Sequence, residues 1–268
     1  MVKLSISKAW DETSAFVASE LRLLAPLVLA LLFLPGVVAE LVTPPPKAGM
    51  VDSSPLSLLL FFVSAVLGVI GQLSVSRLAL GHRERLGESI GHAARRAPAY
   101  IGAVMLFVLP FSVLLGLLYT PMQAAVASAN RGMALIFSLA TLVVLVAFII
   151  AFSRFLLNGP IAAAEDGGSV TILKRGLALT KGNVLRLLGA ALLFIIGGEI
   201  ASYAAEVAVG TVVKLLLGPP DLLTLPLLII AGATGAVQAA ILTLFSVLFA
   251  RLYAQRVAAA TGVPSSGM

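Results

Sequence analysis

Six long apolar stretches with few charged residues constrain the fold of this chain more than any other feature. They cover residues 23–42, 56–78, 99–119, 133–155, 187–209 and 227–250. A helix rises about 1.5 Å per residue, so about 20 apolar residues cross a hydrocarbon core about 30 Å thick. With 60% hydrophobic and 11% charged residues, the chain has too little polar surface for a soluble globule. The pattern predicts an all-α integral membrane protein with six transmembrane helices.

Because these stretches and their connections use nearly every residue of the sequence, we expect no separate soluble catalytic domain. We expect one membrane domain over residues 1–260, followed by a flexible tail at 261–268. The chain contains no cysteine, which excludes disulfides, thiol catalysis and cysteine-based metal sites. A signal peptide is the alternative for the first stretch, but about twenty polar and amphipathic residues precede it, so we interpret it as the first span.

The positive charges predict the orientation independently of hydropathy. If the six spans are correct, 15 of the 18 Lys and Arg residues fall on one side of the membrane and Lys47, Arg131 and Lys214 on the other. Loops rich in Lys and Arg stay in the cytoplasm. The distribution therefore predicts that both termini and the two longer loops are cytoplasmic, and it accounts for the net charge of +6 without a nucleic acid partner.

A weak internal repeat divides the chain into three units. Spans two, four and six end in related tripeptides built around Arg77, Arg154 and Arg251. Related elements also begin the preceding polar segments at Ser5, Ser89 and Ser169, spaced 84 and 80 residues apart. We therefore expect units at 1–83, 84–164 and 165–258, each an interfacial helix followed by a transmembrane hairpin.

The three repeat arginines are candidate lipid head-group contacts. Guanidinium groups match phosphate oxygens in geometry and charge, so Arg77, Arg154 and Arg251 could gather anionic lipids at one leaflet. The alternative is that they are ordinary arginines that extend to the interface. Membrane lipids, anionic ones among them, are the partners we expect.

A polar site in the middle of the membrane is the second candidate. Thirteen residues before the repeat arginines lie Ser64, Thr141 and Gln238, each at a predicted depth of about 20 Å. Either these residues form an axial polar ring, or their equal spacing is due to chance. Glu199 lies at a similar depth, and a charge there is costly unless it is paired or functional. It either bonds Gln238, or Gly197-Gly198 interrupts the fifth helix and brings the carboxylate near the surface.

No metal or cofactor site is expected. The two histidines, His82 and His92, lie in a basic loop, and a metal site needs three or four convergent ligands in a less positive setting. Nucleophile elbows, phosphate-binding glycine loops and zinc-protease motifs are absent from the sequence.

Residues 155–186 carry a family resemblance. The segment FLLNGPIAAAEDGGSVTILKRGLALTKGNVLR resembles the signature loop of a bacterial six-helix family labelled glycerophosphoryl diester phosphodiesterase membrane-domain-like. The resemblance implies a polytopic bundle in the bacterial inner membrane. It does not imply phosphodiesterase activity, which belongs to a separate soluble barrel with metal-binding Glu and His residues.

Three functions follow as expectations. The first is a non-enzymatic inner-membrane protein that handles or organises lipid, or serves as an accessory subunit. The second is a transporter or channel with a polar site around Glu199, and the third, disfavoured by the lack of convergent catalytic groups, is a lipid-modifying enzyme. A transporter requires a cavity into which Glu199 points, whereas a lipid binder requires a lateral groove lined by Arg77, Arg154 or Arg251.

Overall fold

The computed structural model describes residues 5–43, 54–81 and 85–261, with side chains described through residue 259. Lys47, His82 and the tail from residue 262 lie outside these ranges. Helices make up 89% of the described residues, and no strand occurs among them. The helices are α1 (Ile6–Ser19), α2 (Leu21–Val28), α3 (Leu34–Val42), α4 (Pro55–Ala79), α5 (Leu86–Ala127), α6 (Arg131–Phe155), α7 (Asn158–Ala164), α8 (Ser169–Thr180), α9 (Val184–Leu217) and α10 (Leu225–Thr261).

The prediction of six spans is confirmed, since the described part of the chain contains six helices long and apolar enough to cross a membrane. The first is composite, because a short π-helical segment, Leu29–Phe33, joins α2 to α3. Pro26 and Pro35 flank this segment. Proline lacks the backbone N–H and crowds the preceding turn, so the register adjusts locally while the helix continues.

The polar segments before the hairpins are helical, but not all are separate helices. The first forms α1, whose N-terminus is capped by Ser5 Oγ accepting from the Lys8 backbone N–H at 3.3 Å. The third forms α8. The second is continuous with its span in the 42-residue helix α5, because Pro98 does not break the helix.

The fifth span is regular. Helix α9 runs from Val184 to Leu217 without interruption at Gly197-Gly198. A Cβ at position 198 would lie 3.2 Å from a methyl carbon of Ile241 in α10. Small residues let membrane helices approach closely, so Gly198 serves helix packing here.

The core lies at one end of the bundle, around α7, a short helix that the sequence did not predict. Asn158 and residues 160–163 of α7 are buried, and this helix contacts α4, α5, α8 and α10. We call this region, which holds Arg77, Arg154 and Arg251, the basic end. The first and last helices meet here, since Ser5 and Gln255 exchange two hydrogen bonds of 3.3 and 3.4 Å.

Candidate functional site

A lateral cavity of about 550 Å³ lies between α5, α6 and α8, next to the basic end. We call it the α6 groove. Its lining includes Phe107, Phe111, Ile150, Arg154, Asn158 and Leu173. Leu106, Ile150 and Leu177, which also line it, are 47–50% exposed. The groove therefore opens on the side of the bundle, where a membrane protein meets acyl chains.

Aromatic side chains form one wall of the α6 groove. Phe107 of α5 stacks on Phe155 with a centroid distance of 4.8 Å, and Phe111 meets Phe148 edge-on at 5.2 Å. Such pairs contribute about 0.5–1.5 kcal/mol each beyond their buried area. They join α5 to α6 and give the groove a firm apolar surface.

Arg154 supplies the charge of the groove. It lies in the last turn of α6, is partly exposed and lines the cavity. Within the described residues, no hydrogen bond or ion pair holds its guanidinium. An unpaired cation beside an apolar groove can accept an anion from a ligand.

The other two repeat arginines have different environments. Arg77 donates from Nη1 to the carbonyl oxygen of Ala163 at 3.1 Å, across from α4 to α7. Arg251 lies over the ring of Phe16, 5.2 Å from its centroid, and its Nε is buried without a hydrogen-bond partner in the described chain. The structure therefore does not bring the three arginines into one site, and of the three only Arg154 lines the α6 groove.

Asn158 is the second polar residue of the α6 groove, and the sequence did not single it out. It begins α7, is 1% exposed, and its Oδ1 has no hydrogen-bond partner in the described chain. Gly176 of α8 packs against it so closely that an added Cβ would overlap Oδ1. The sequence feature that could have identified it is an amide side chain in the apolar segment directly after the fourth span.

A polar network fixes α7 beneath the groove. The last carbonyls of a helix lack partners within it and attract cationic donors. Arg96 meets this need by donating from Nε to Ala162 O at 3.2 Å and from Nη2 to the carbonyl of Glu165. The Glu165 carboxylate accepts from Tyr253 Oη at 2.7 Å and from Arg175 Nε at 3.1 Å. These contacts join α5, α8 and α10 to α7.

The predicted ring residues have separate hydrogen-bond partners or are exposed. Ser64 donates to the carbonyl oxygen of Pro35 at 3.1 Å, and Thr141 donates to that of Phe137, four residues earlier, at 2.8 Å. Gln238 is exposed. In the described chain, no hydrogen bond joins these side chains to one another.

Glu199 lies on the exposed surface of α9. No hydrogen bond joins it to Gln238 or to any other described residue. Its neighbours Gly197 and Gly198 line a second cavity of about 620 Å³ together with Trp10, but Glu199 lines neither that cavity nor the α6 groove.

The function of the groove has to be interpreted from its own chemistry. In the ranges that the structure describes, no three His, Asp or Glu side chains are grouped as a metal ion requires. No family model, curated protein or solved structure matches this chain.

Proposed function

We propose that this chain is a multi-pass protein of the bacterial inner membrane that binds a phospholipid of the cytoplasmic leaflet in the α6 groove. The basic end and both termini then face the cytoplasm. The 15-to-3 distribution of Lys and Arg supports this orientation. The contact between Ser5 and Gln255 agrees with termini on one side.

One observation carries the proposal: an unpaired guanidinium lies at an apolar groove that opens sideways from the bundle. Arg154 lies in the last turn of its span, where we place the lipid head groups, and the groove extends from there along α5 and α6. A phospholipid has the same arrangement, with an anionic phosphate above apolar chains. A volume of about 550 Å³ is typical of small-molecule sites, which span about 300–1,000 Å³.

The proposed role is lipid handling or membrane organisation, alone or as an accessory subunit, without a catalytic step. The described residues that line the groove include one cation and one amide but no carboxylate, imidazole or hydroxyl group. General acid–base or nucleophilic catalysis needs such groups. The resemblance of residues 155–186 to the six-helix family supports the polytopic inner-membrane part of the proposal, and this segment forms α7 and α8 beside the groove.

The transporter alternative has less support. It needs a cavity into which Glu199 points, and this carboxylate lies on the exposed surface of α9 beside, not in, the second cavity.

Lipid retention by the purified protein tests the proposal. Arg154→Gln is compared with Arg131→Gln, which removes the same charge from the exposed opposite end of α6. After exchange with phosphatidylglycerol, native mass spectrometry counts the bound lipid. We expect Arg154→Gln to weaken binding about 10- to 100-fold, the effect of losing a charge-assisted hydrogen bond, and Arg131→Gln to bind like the parent. Equal retention by both variants would refute the proposal.

A further inference from the structure

The amide of Asn158 is a buried polar group that the protein leaves unsatisfied. Its side chain is 1% exposed, Oδ1 has no hydrogen-bond partner, and no contact within the described chain engages Nδ2. Buried polar groups are nearly always paired because desolvation without a partner costs free energy. Asn158 lines the same groove as Arg154, so a molecule bound in the groove can supply the partner that Nδ2 lacks.

The packing around Asn158 indicates which atom a ligand meets. Oδ1 is the atom that faces Gly176, where an added Cβ would overlap it. Nδ2, a donor, is then the atom available to the groove. The hydrogen-bonding groups that the described residues offer in the groove are thus two donors, Arg154 and Asn158. Their ligand must provide two acceptors.

The two donors belong to residues that lie close together. The same Cβ position at Gly176 that overlaps the Asn158 amide is 3.4 Å from the backbone oxygen of Arg154. The amide therefore lies beside the backbone of Arg154, whereas the guanidinium stands at the end of a long side chain. A glycerophospholipid likewise carries two separate acceptors, a phosphate and an ester carbonyl, which two such donors can bind together.

We infer that the α6 groove recognises ester-linked glycerophospholipids, with Arg154 on the phosphate and the Asn158 amide on an ester carbonyl. This inference rests on the proposed lipid binding and adds a chemical selection to it. An ether-linked lipid has the same phosphate and chains but lacks the carbonyl, so it leaves the amide unpaired. The groove should therefore prefer the ester.

The test compares ester-linked with ether-linked phosphatidylglycerol of identical chains, each exchanged into the purified full chain and counted by native mass spectrometry. We expect the parent to bind the ester about 3- to 10-fold more tightly, the contribution of one hydrogen bond. Asn158→Leu should bind both lipids equally. Gln238→Leu, which removes an exposed amide elsewhere in the membrane-spanning region, should keep the preference.

The possible failures are distinguishable. Equal binding of ester and ether by the parent, with both dependent on Arg154, overturns the inference and leaves the proposed function standing. A preference that persists in Asn158→Leu also overturns it, because the carbonyl is then recognised elsewhere. Binding that is indifferent to Arg154→Gln refutes the proposed function itself. The comparison on the parent requires no variant, so equal binding of the two lipids overturns the inference even if Asn158→Leu does not fold.

Discussion

The basic end and the membrane-spanning middle of this bundle are built differently. At the basic end, α7 is buried among four helices, and arginine side chains cap its last carbonyls. In the middle, the helices contact each other along narrow faces: only 0–22% of the most apolar stretch of each span is buried.

This difference arises because acyl chains surround the middle of the bundle, whereas water reaches the basic end. Acyl chains solvate apolar side chains as well as another helix does, so hydrophobicity does not force the spans together. At the membrane interface, water restores the hydrophobic effect and polar groups need partners. We therefore expect the basic end to fix the arrangement of the helices and the middle to tolerate substitution.

Breaking the polar network at Glu165 should have the largest effect on stability. Glu165→Ala removes the acceptor of both Tyr253 and Arg175. Hydrogen bonds to charged groups contribute about 1.5–3 kcal/mol each, and the partial exposure of Glu165 and Arg175 reduces that value. We expect the free energy of unfolding, measured by denaturation in mixed micelles, to fall by about 2–3 kcal/mol.

Asp166→Ala is the matched control for Glu165→Ala. The neighbouring carboxylate is 97% exposed and meets Arg96 only at 4.0 Å, and exposed ion pairs of this kind contribute about 0–1 kcal/mol. If both substitutions destabilised the protein equally, the network around Glu165 would not be what fixes the basic end.

Overpacking at Gly176 should have the next largest effect. An alanine there overlaps the Asn158 amide and approaches the Arg154 carbonyl, so α8 has to move away from α7. Inserting one methyl group into a packed site costs about 1–3 kcal/mol, and we expect Gly176→Ala to fall in the lower half of this range. Gly189→Ala is the control, because nothing lies within 4 Å of its added Cβ and alanine favours helix. A neutral Gly176→Ala would show that α8 is loosely packed.

The sequence predicted the spans better than the basic end, for a physical reason. Crossing a bilayer requires a long apolar helix, so composition alone locates each span. Helix α7 is seven residues long and is fixed by contacts from α4, α5 and α10. Those contacts join residues about 65–90 positions apart, and no local pattern encodes them.

The candidate site was predictable only in part. Arg154 was found from the repeat, but the sequence could not distinguish it from Arg77 and Arg251, whose partners come from α7 and α1. Asn158 was missed because a single amide after a span carries little signal. The spacing along the sequence predicts the depth of Glu199 in the membrane. It does not predict which face of α9 carries Glu199, because that depends on how α9 packs against α10.

Neutralising Glu199 should have the smallest effect on lipid binding. It tests whether the membrane-spanning middle tolerates substitution. The carboxylate is exposed and has no partner among the described residues, so Glu199→Gln breaks no contact. We expect less than a twofold change in phosphatidylglycerol retention and equal ion flux for parent and variant in proteoliposomes. Flux that the parent supports and Glu199→Gln abolishes would instead favour a transporter. It would also place a functional group in the membrane-spanning middle. Our expectation that this region tolerates substitution would then be wrong.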